Sequence, residues 1–424
     1  MRVAWRVVVA GILILALWGC GKNAPEQQDN TGPSLITNPT FAVADTNPNF
    51  PIGWSTEAWG RGGDAVFDYP VLGADDQFAA TLTVPDTDPD KTDAGAADWL
   101  PKAVAVNGGM LYSFSDRYLS SANSYLVAQW MFPGGRTEYD SLETIGPTVE
   151  GRWGEARAFF AAPLLATSLI MRHDLEGPGM LTIDSFNLTE KKPPESGFKE
   201  GIVSLTYDDG WESHYSQALP ILASAHMSGT FFIVTDFVGT YGYVSRDELQ
   251  LLGQGNEIAS HTVTHPHLPT LSEGDATSEL QNSRQTLLSW GEESQGFAYP
   301  FGEYNPFLME EAKNVGYAYA RSVDIGFNTA TSSRMNLKSY SVTPATPFES
   351  IKSLIDAAAE YKLWLVLTFH QIVDAAGAGA GGEGYGTTPS RLQQIVSYLS
   401  QLRNQNKVQV LSMGDVLPML QSSE

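Results

Sequence analysis

Two periodicities divide the chain. Over residues 35–190, apolar positions alternate with polar ones in short stretches, clearest at 79–84, 124–131 and 180–188, and turn residues separate them. A period of two gives strands with one buried face, so this half is expected to be an all-β sandwich. Over residues 200–424 the pattern changes. Apolar, β-rich runs at 201–207, 230–234, 296–299, 317–322, 364–369 and 408–411 alternate with helical spacing at 212–225, 306–314, 348–362 and 389–404. A further helix starts at Ser272, with Asp275 in the capping-box position, and runs to about Trp290. Repeated β-α units imply a parallel sheet closed or nearly closed into a barrel. The expected fold class is therefore α/β, a distorted (β/α) barrel preceded by an all-β domain.

The chain begins with the basic stretch Met1-Arg2-Val3-Ala4-Trp5-Arg6, followed by an unbroken apolar run at 7–17. That run is too short for a membrane-spanning helix, which needs ~20 residues, and suits a signal-peptide core. It ends Leu17-Trp18-Gly19-Cys20, which resembles a bacterial lipobox. The resemblance implies a lipoprotein signal peptide at 1–19, acylation of Cys20 and a lipid anchor in the membrane of the cell envelope. Gly21 after the cysteine favours the outer membrane. Residues 20–34 are polar and read as a flexible tether. Lys191-Lys192-Pro193-Pro194-Glu195-Ser196-Gly197 interrupts any helix or strand. The expected organisation is thus signal 1–19, tether 20–34, sandwich 35–190, linker 191–199 and barrel 200–424.

Charge and cysteine content narrow the function. With 25 basic against 48 acidic side chains and a net charge of −23, the chain lacks the basic clusters that bind nucleic acid. Cys20 is the single cysteine, which excludes an internal disulfide and a Cys-rich zinc site. Within the first half, Asn38-Pro39-Thr40-Phe41, Pro51-Ile52-Gly53-Trp54 and Ile183-Asp184-Ser185-Phe186 resemble jelly-roll carbohydrate-binding modules. Trp54, Trp59, Trp99, Trp130 and Trp153 could stack on sugar faces or fill the sandwich core, and core is the commoner use. Asp86, Asp88, Asp90 and Asp93 suggest calcium, but Lys91 stands where an EF-hand-type loop needs glycine, so a solvated loop is expected.

The chemistry-bearing residues sit at the ends of the expected parallel strands. Thr206-Tyr207-Asp208-Asp209-Gly210 follows the first, His261-Thr262-Val263-Thr264-His265 another, and Phe369-His370 a later one. Two histidines four apart meet one metal if their segment coils helically after the strand. Of seven histidines in the chain, three lie at the ends of two barrel strands. An Asp with two His leaves coordination positions open, as catalytic metal sites do.

With these motifs in place, residues 200–371 resemble the catalytic domain of the polysaccharide deacetylases, carbohydrate esterase family 4. The third family motif corresponds to Tyr299-Pro300-Phe301-Gly302. The resemblance implies that Asp209, His261 and His265 bind a divalent metal, usually Zn2+. It makes Asp208 the general base and His370 the general acid. It also assigns Tyr299, Pro300 and the backbone N–H of Phe301 to the oxyanion and substrate side. Where the family usually has an Arg that orients the catalytic Asp, Ala298 stands here. The segment Val323-Asp324-Ile325-Gly326-Phe327 lacks the usual Asp-Trp pair, and Thr368 replaces a Leu. His173, His214, His226, His267 and Tyr207 are expected to be structural.

The implied substrate is an N-acetylated polysaccharide: poly-N-acetylglucosamine, a chitin-like oligomer or peptidoglycan. O-deacetylation of an acetylated glycan such as xylan, and glycan binding without catalysis, are the alternatives. Deacetylation makes a glucosamine polymer cationic, and an acidic chain attracts such a product.

Overall fold

A computed structural model describes residues 33–421 apart from 75–76, 87–94, 150, 192–194 and 374–385. The expected signal peptide, Cys20, most of the tether, and Asp88, Asp90 and Asp93 lie outside the described residues. Asp86 is exposed.

Among the described residues, the first half folds as eleven strands. They are β1 (Trp54–Ala58), β2 (Val66–Leu72), β3 (Phe78–Val84), β4 (Ala96–Pro101), β5 (Val104–Ala105) and β6 (Leu111–Ser120), then β7 (Ser124–Met131), β8 (Thr137–Ile145), β9 (Gly154–Ala161), β10 (Ser168–Glu176) and β11 (Gly179–Glu190). They form two antiparallel sheets, β1-β4-β10-β7-β8 with β5 beside β10, and β2-β3-β11-β6-β9. The period of two does what the sequence suggests: in β7 every second residue is buried. Leu126, Ala128 and Trp130 point inward, and Trp130 meets Phe160 of the opposite sheet edge-on at 5.8 Å. Trp99 meets Phe67 across the sheets in the same way, at 5.5 Å. Buried indole N–H groups need acceptors. Trp99 donates to the Thr81 carbonyl (2.9 Å) and Trp130 to Asp140 (2.7 Å). Trp54, Trp99 and Trp130 are therefore core residues, whereas Trp59 is 42% exposed.

The second half supplies β12 (Gly201–Tyr207), β13 (Thr230–Ile233), β14 (Glu257–Ser260), β15 (Gly296–Ala298), β16 (Tyr319–Arg321), β17 (Tyr340–Ser341), β18 (Trp364–Phe369) and β19 (Val408–Val410). Among the described residues, seven α-helices accompany them: α1 (Leu219–Ser224), α2 (Arg246–Leu252), α3 (Glu273–Ser289), α4 (Pro306–Val315), α5 (Phe348–Tyr361), α6 (Pro389–Asn404) and α7 (Met413–Val416). Every strand pairing in this sheet is parallel, in the order β16-β15-β14-β13-β12-β18-β17 with β19 also on β12. All residues of β12 and β18 are buried, as strands covered on both faces must be. The sheet curls into a half-barrel, and the segment 334–341 bridges its two edges. Leu337 N–H donates to the Ala320 carbonyl (2.9 Å), while Tyr340 and Ser341 pair with β18.

Helix boundaries follow local chemistry. Ser272 caps α3 by accepting from the Asp275 N–H, and Ser245 with Glu248 forms a complete capping box on α2, an element that periodicity alone did not reveal. The 212–225 segment differs from the expected single helix. It opens as a π-helical turn, His214–Ala218, before α1 begins.

Pro33–Glu424 form one compact unit, and edge strand β8 joins its two halves. Ile325 N–H donates to the Ser141 carbonyl (2.8 Å), and Lys338 pairs with Glu143. Asp324 accepts from Ser141 (3.0 Å) and Tyr304 (2.5 Å). The edge strand is thereby covered. Among the described residues, no helix is long and apolar enough to cross a membrane.

Candidate active site

Strand register places the first two functional residues. Tyr207 of β12 is level with Phe369 of β18, and the Asp208 N–H donates to the Phe369 carbonyl (2.9 Å). Asp208 and His370, the next residue on each strand, therefore lie side by side, with His370 Nε2 3.9 Å from Asp208 Oδ2. Tyr207 itself is fully buried, stacked between Phe231 and Phe369 with centroids at 4.7 and 5.3 Å, so it braces the strand ends.

Asp209, His261 and His265 converge. Both histidine Nε2 atoms lie 3.6 Å from Asp209 Oδ1, and one ligand atom from each residue falls within 4.8 Å of the others. The supporting bonds fit a cation site. His261 Nδ1 donates to the Ala298 carbonyl (2.8 Å), which fixes the tautomer and leaves Nε2 as an acceptor facing the cluster. Trp211 Nε1 donates to Asp209 Oδ2 (2.9 Å), leaving Oδ1 for the cluster. Burial pushes the His261 imidazole down to about 4, so the ring is neutral, as ligation requires. The chemistry that a divalent cation supplies in such a site is Lewis-acid polarisation of water and carbonyl oxygen.

The two histidines do not meet through a helical turn, contrary to the sequence expectation. Thr262 (φ 69°) and His265 (φ 60°) are left-handed instead, so the chain reverses irregularly. Glu279 of α3 pins this loop by accepting from the N–H groups of Val263 (2.8 Å) and Thr264 (2.9 Å) and from the Thr264 hydroxyl (2.7 Å). Asp209 (φ 77°) and Phe301 (φ 57°) are also left-handed. Such conformations cost of order 1–3 kcal/mol each and collect where geometry matters more than stability.

Arg321 fills the role that Ala298 leaves vacant. It ends β16, is fully buried, and its Nη2 donates to Asp208 Oδ2 at 2.5 Å. Burial alone would push the Asp208 carboxyl up, but Arg321, His261 and His370 outweigh it and hold the group below its ordinary value. Asp208 is thus an ionised acceptor. A charged side chain closing the buried run 317–322, at the strand end where the other functional groups sit, was the available signal.

The third motif forms the rim. Phe301 is 42% exposed and packs edge-on to His265 (4.5 Å) and flat on His267 (3.9 Å, 9°). Gly302 is required: its φ is 75°, and a Cβ there would lie 2.2 Å from Val323 Cγ2. Tyr299 lines the cleft but spends its hydroxyl on the Met335 carbonyl (3.1 Å). Pro300 is buried in the turn and is not among the residues that line the cleft. The cleft holds about 440 Å³ around Asp208, Asp209, His261, His265, Phe301 and His370.

The remaining histidines divide. His214 is buried, and its Nε2–H donates to the His370 carbonyl (2.9 Å), so it positions the neighbouring catalytic candidate. His267 stays outside the cluster, paired with Glu303 (2.9 Å). His173 lies between Asp116 (2.6 Å) and Ser124 (2.9 Å) inside the sandwich, all three buried away from substrate, and His226 is an exposed residue whose carbonyl accepts from Arg403. Asp324 turns to the β8 joint, while its neighbour Val323 lines the cleft.

The family model for polysaccharide deacetylases matches residues 195–320. This stretch is similar to a polysaccharide deacetylase domain. Arg321 lies just beyond the matched stretch, and His370 well beyond it. A putative polysaccharide deacetylase, YxkH, of Bacillus subtilis is 28% identical over 144 residues, 34% of this chain and 50% of its own. A peptidoglycan-N-acetylglucosamine deacetylase of Bacillus cereus is 27% identical over 150 residues, 35% of this chain and 64% of its own. A chitooligosaccharide deacetylase of Sinorhizobium fredii is 30% identical over 132 residues, 30% of this chain and 58% of its own. The chain thus spans between half and two thirds of the length of these relatives. Around the matched stretch, the sandwich and the segment after residue 320 add the β8 joint, Arg321 and His370.

Proposed function

We propose that the chain is a metal-dependent hydrolase that removes acetyl groups from an N-acetylated polysaccharide, an N-acetylglucosamine-containing glycan, at the bacterial cell envelope. One observation carries this reading: an ionised Asp208 lies between Arg321 and His370, beside the Asp209–His261–His265 cluster. Those three residues would hold the cation, and two imidazoles with one carboxylate suit Zn2+. Asp208 takes the proton of the attacking water. By the family pattern, the backbone N–H of Phe301, a residue lining the cleft, would stabilise the charge that develops on the acetyl oxygen. His370 delivers a proton to the departing nitrogen, a need that an amine leaving group has far more than an alcohol. The relatives named for peptidoglycan and chitooligosaccharides support the substrate class.

The basic start, the apolar run 7–17 and Cys20 support a lipid-anchored envelope protein. The two antiparallel sheets and the exposed Trp59 are consistent with a glycan-binding first domain over 35–190, joined by 191–199 to the catalytic domain over 200–424.

The test is acetate release from N-acetylglucosamine polymers and from acetylated xylan, with and without chelator. Release from the former, abolished by chelator, is expected. Release only from xylan would replace N- by O-deacetylation, and release from neither would overturn the enzyme reading.

A further inference from the structure

A second cavity, of about 350 Å³, opens between the sandwich and the parallel sheet. One side is built by the β7–β8 turn and the β9–β10 loop, with Phe132, Arg136, Glu138 and Leu165. The other is built by the segment after β17 and by α5. Its size and that of the catalytic cleft both fall in the ~300–1,000 Å³ range of small-ligand sites.

The two cavities share a wall. Ser341 lines both. Ser341 is level with Thr368 on β18, and the Val342 N–H donates to the Thr368 carbonyl (2.8 Å). The second cavity therefore begins where the catalytic cleft ends.

Its chemistry suits a sugar. Leu165 is 61% exposed and offers apolar surface to a pyranose face. Arg136 and Glu138, paired at 2.7 Å with side chains about half exposed, offer donors and acceptors for hydroxyls, and Arg136 is held over the Phe132 ring at 4.0 Å. A polymer deacetylated along its length must lead its neighbouring residues out of the cleft, and this groove adjoins the general-acid side.

We propose that the groove between the β7–β8 turn, the β9–β10 loop and the segment after β17 is a substrate subsite, binding the sugar residues that flank the one being deacetylated. This rests on the proposed polysaccharide substrate. It makes the sandwich a wall of the active site, and the chain a polymer-acting enzyme whose preference rises with oligosaccharide length.

The test uses the full-length chain carrying Asp208→Asn, which holds substrate without turnover, and titrates it with β-1,4-linked N-acetylglucosamine dimer and hexamer. Adding Arg136→Ala and Leu165→Glu, both at exposed positions that the fold tolerates, is expected to weaken hexamer binding about 10-fold more than dimer binding. Equal weakening of both, unchanged hexamer binding, or no hexamer binding before the substitutions would overturn the subsite. Acetate release by the unsubstituted chain separates the two readings. Release without any effect on hexamer binding sinks the subsite alone, and a groove-dependent hexamer without release sinks deacetylation alone.

Discussion

Arg321 Nη2 lies 2.5 Å from Asp208 Oδ2, joining the end of β16 to the end of β12 through two side chains that solvent scarcely reaches. The pair is the electrostatic centre of the site: remove the guanidinium and the buried carboxylate loses its main counter-charge. Arg321→Met is expected to lower kcat about 100-fold while the protein still binds its cation, and Arg321→Lys to recover part of the loss. Steady-state acetate release alongside metal analysis checks both. Wild-type turnover in Arg321→Met would show that Asp208 needs no such partner.

Trp211 acts one bond further out, holding Asp209 Oδ2. Trp211→Phe keeps the ring and removes the donor. Partners of this kind are worth roughly 10- to 100-fold in metal affinity, so a loss in that range is expected in chelator competition. Unchanged affinity would mean that the Asp209 carboxylate is oriented by its backbone alone.

At Gly302, backbone and space agree. Gly302→Ala sets a methyl against Val323 in a left-handed residue, and the third-motif turn must shift. A stability loss of at least ~1 kcal/mol is expected in denaturant unfolding, with reduced turnover. A variant as stable and active as wild type would show that the turn is not fixed by contact.

His214 makes a pH-dependent contribution whose sign is determined. Burial lowers its pKa from 6.5 to about 4. Between those values the unfolded chain takes up a proton that the folded chain refuses. Stability from this group is therefore present above pH 6.5 and is lost as pH falls toward 4, by roughly 3 kcal/mol in all. His214→Gln removes the titration. Its unfolding free energy is expected to fall less steeply than that of wild type between pH 6.5 and 4.5. Parallel slopes would contradict the assignment.

Much of this architecture was legible from periodicity, because the sandwich strands bury one face and the parallel strands both. The residues that converge in the candidate site were legible because polar groups end buried strands: Asp208, His261 and His370 each follow an apolar run. Arg321 obeys the same rule but belongs to no motif, so it emerged only when the curl of the sheet brought the end of β16 to the end of β12, four strands away. The His261–His265 approach was misread as helical because spacing carries no record of the left-handed residues Thr262 and His265. Pro300 was assigned by motif position, whereas its burial depends on how the turn packs. The β8 joint, with Asp324, Tyr304 and Glu143, depends on contacts between residues far apart in sequence that no local pattern encodes.

The central claim is that Asp208 does chemistry while Asp209, His261 and His265 hold the cation. Its most direct test measures acetate release from an N-acetylglucosamine oligomer and bound metal on the same samples of wild-type and Asp208→Asn protein. Wild type should release acetate and stop when chelated, and Asp208→Asn should retain its metal with turnover down by ~10²–10⁴. Wild-type turnover in Asp208→Asn, or loss of the metal with the substitution, would contradict it.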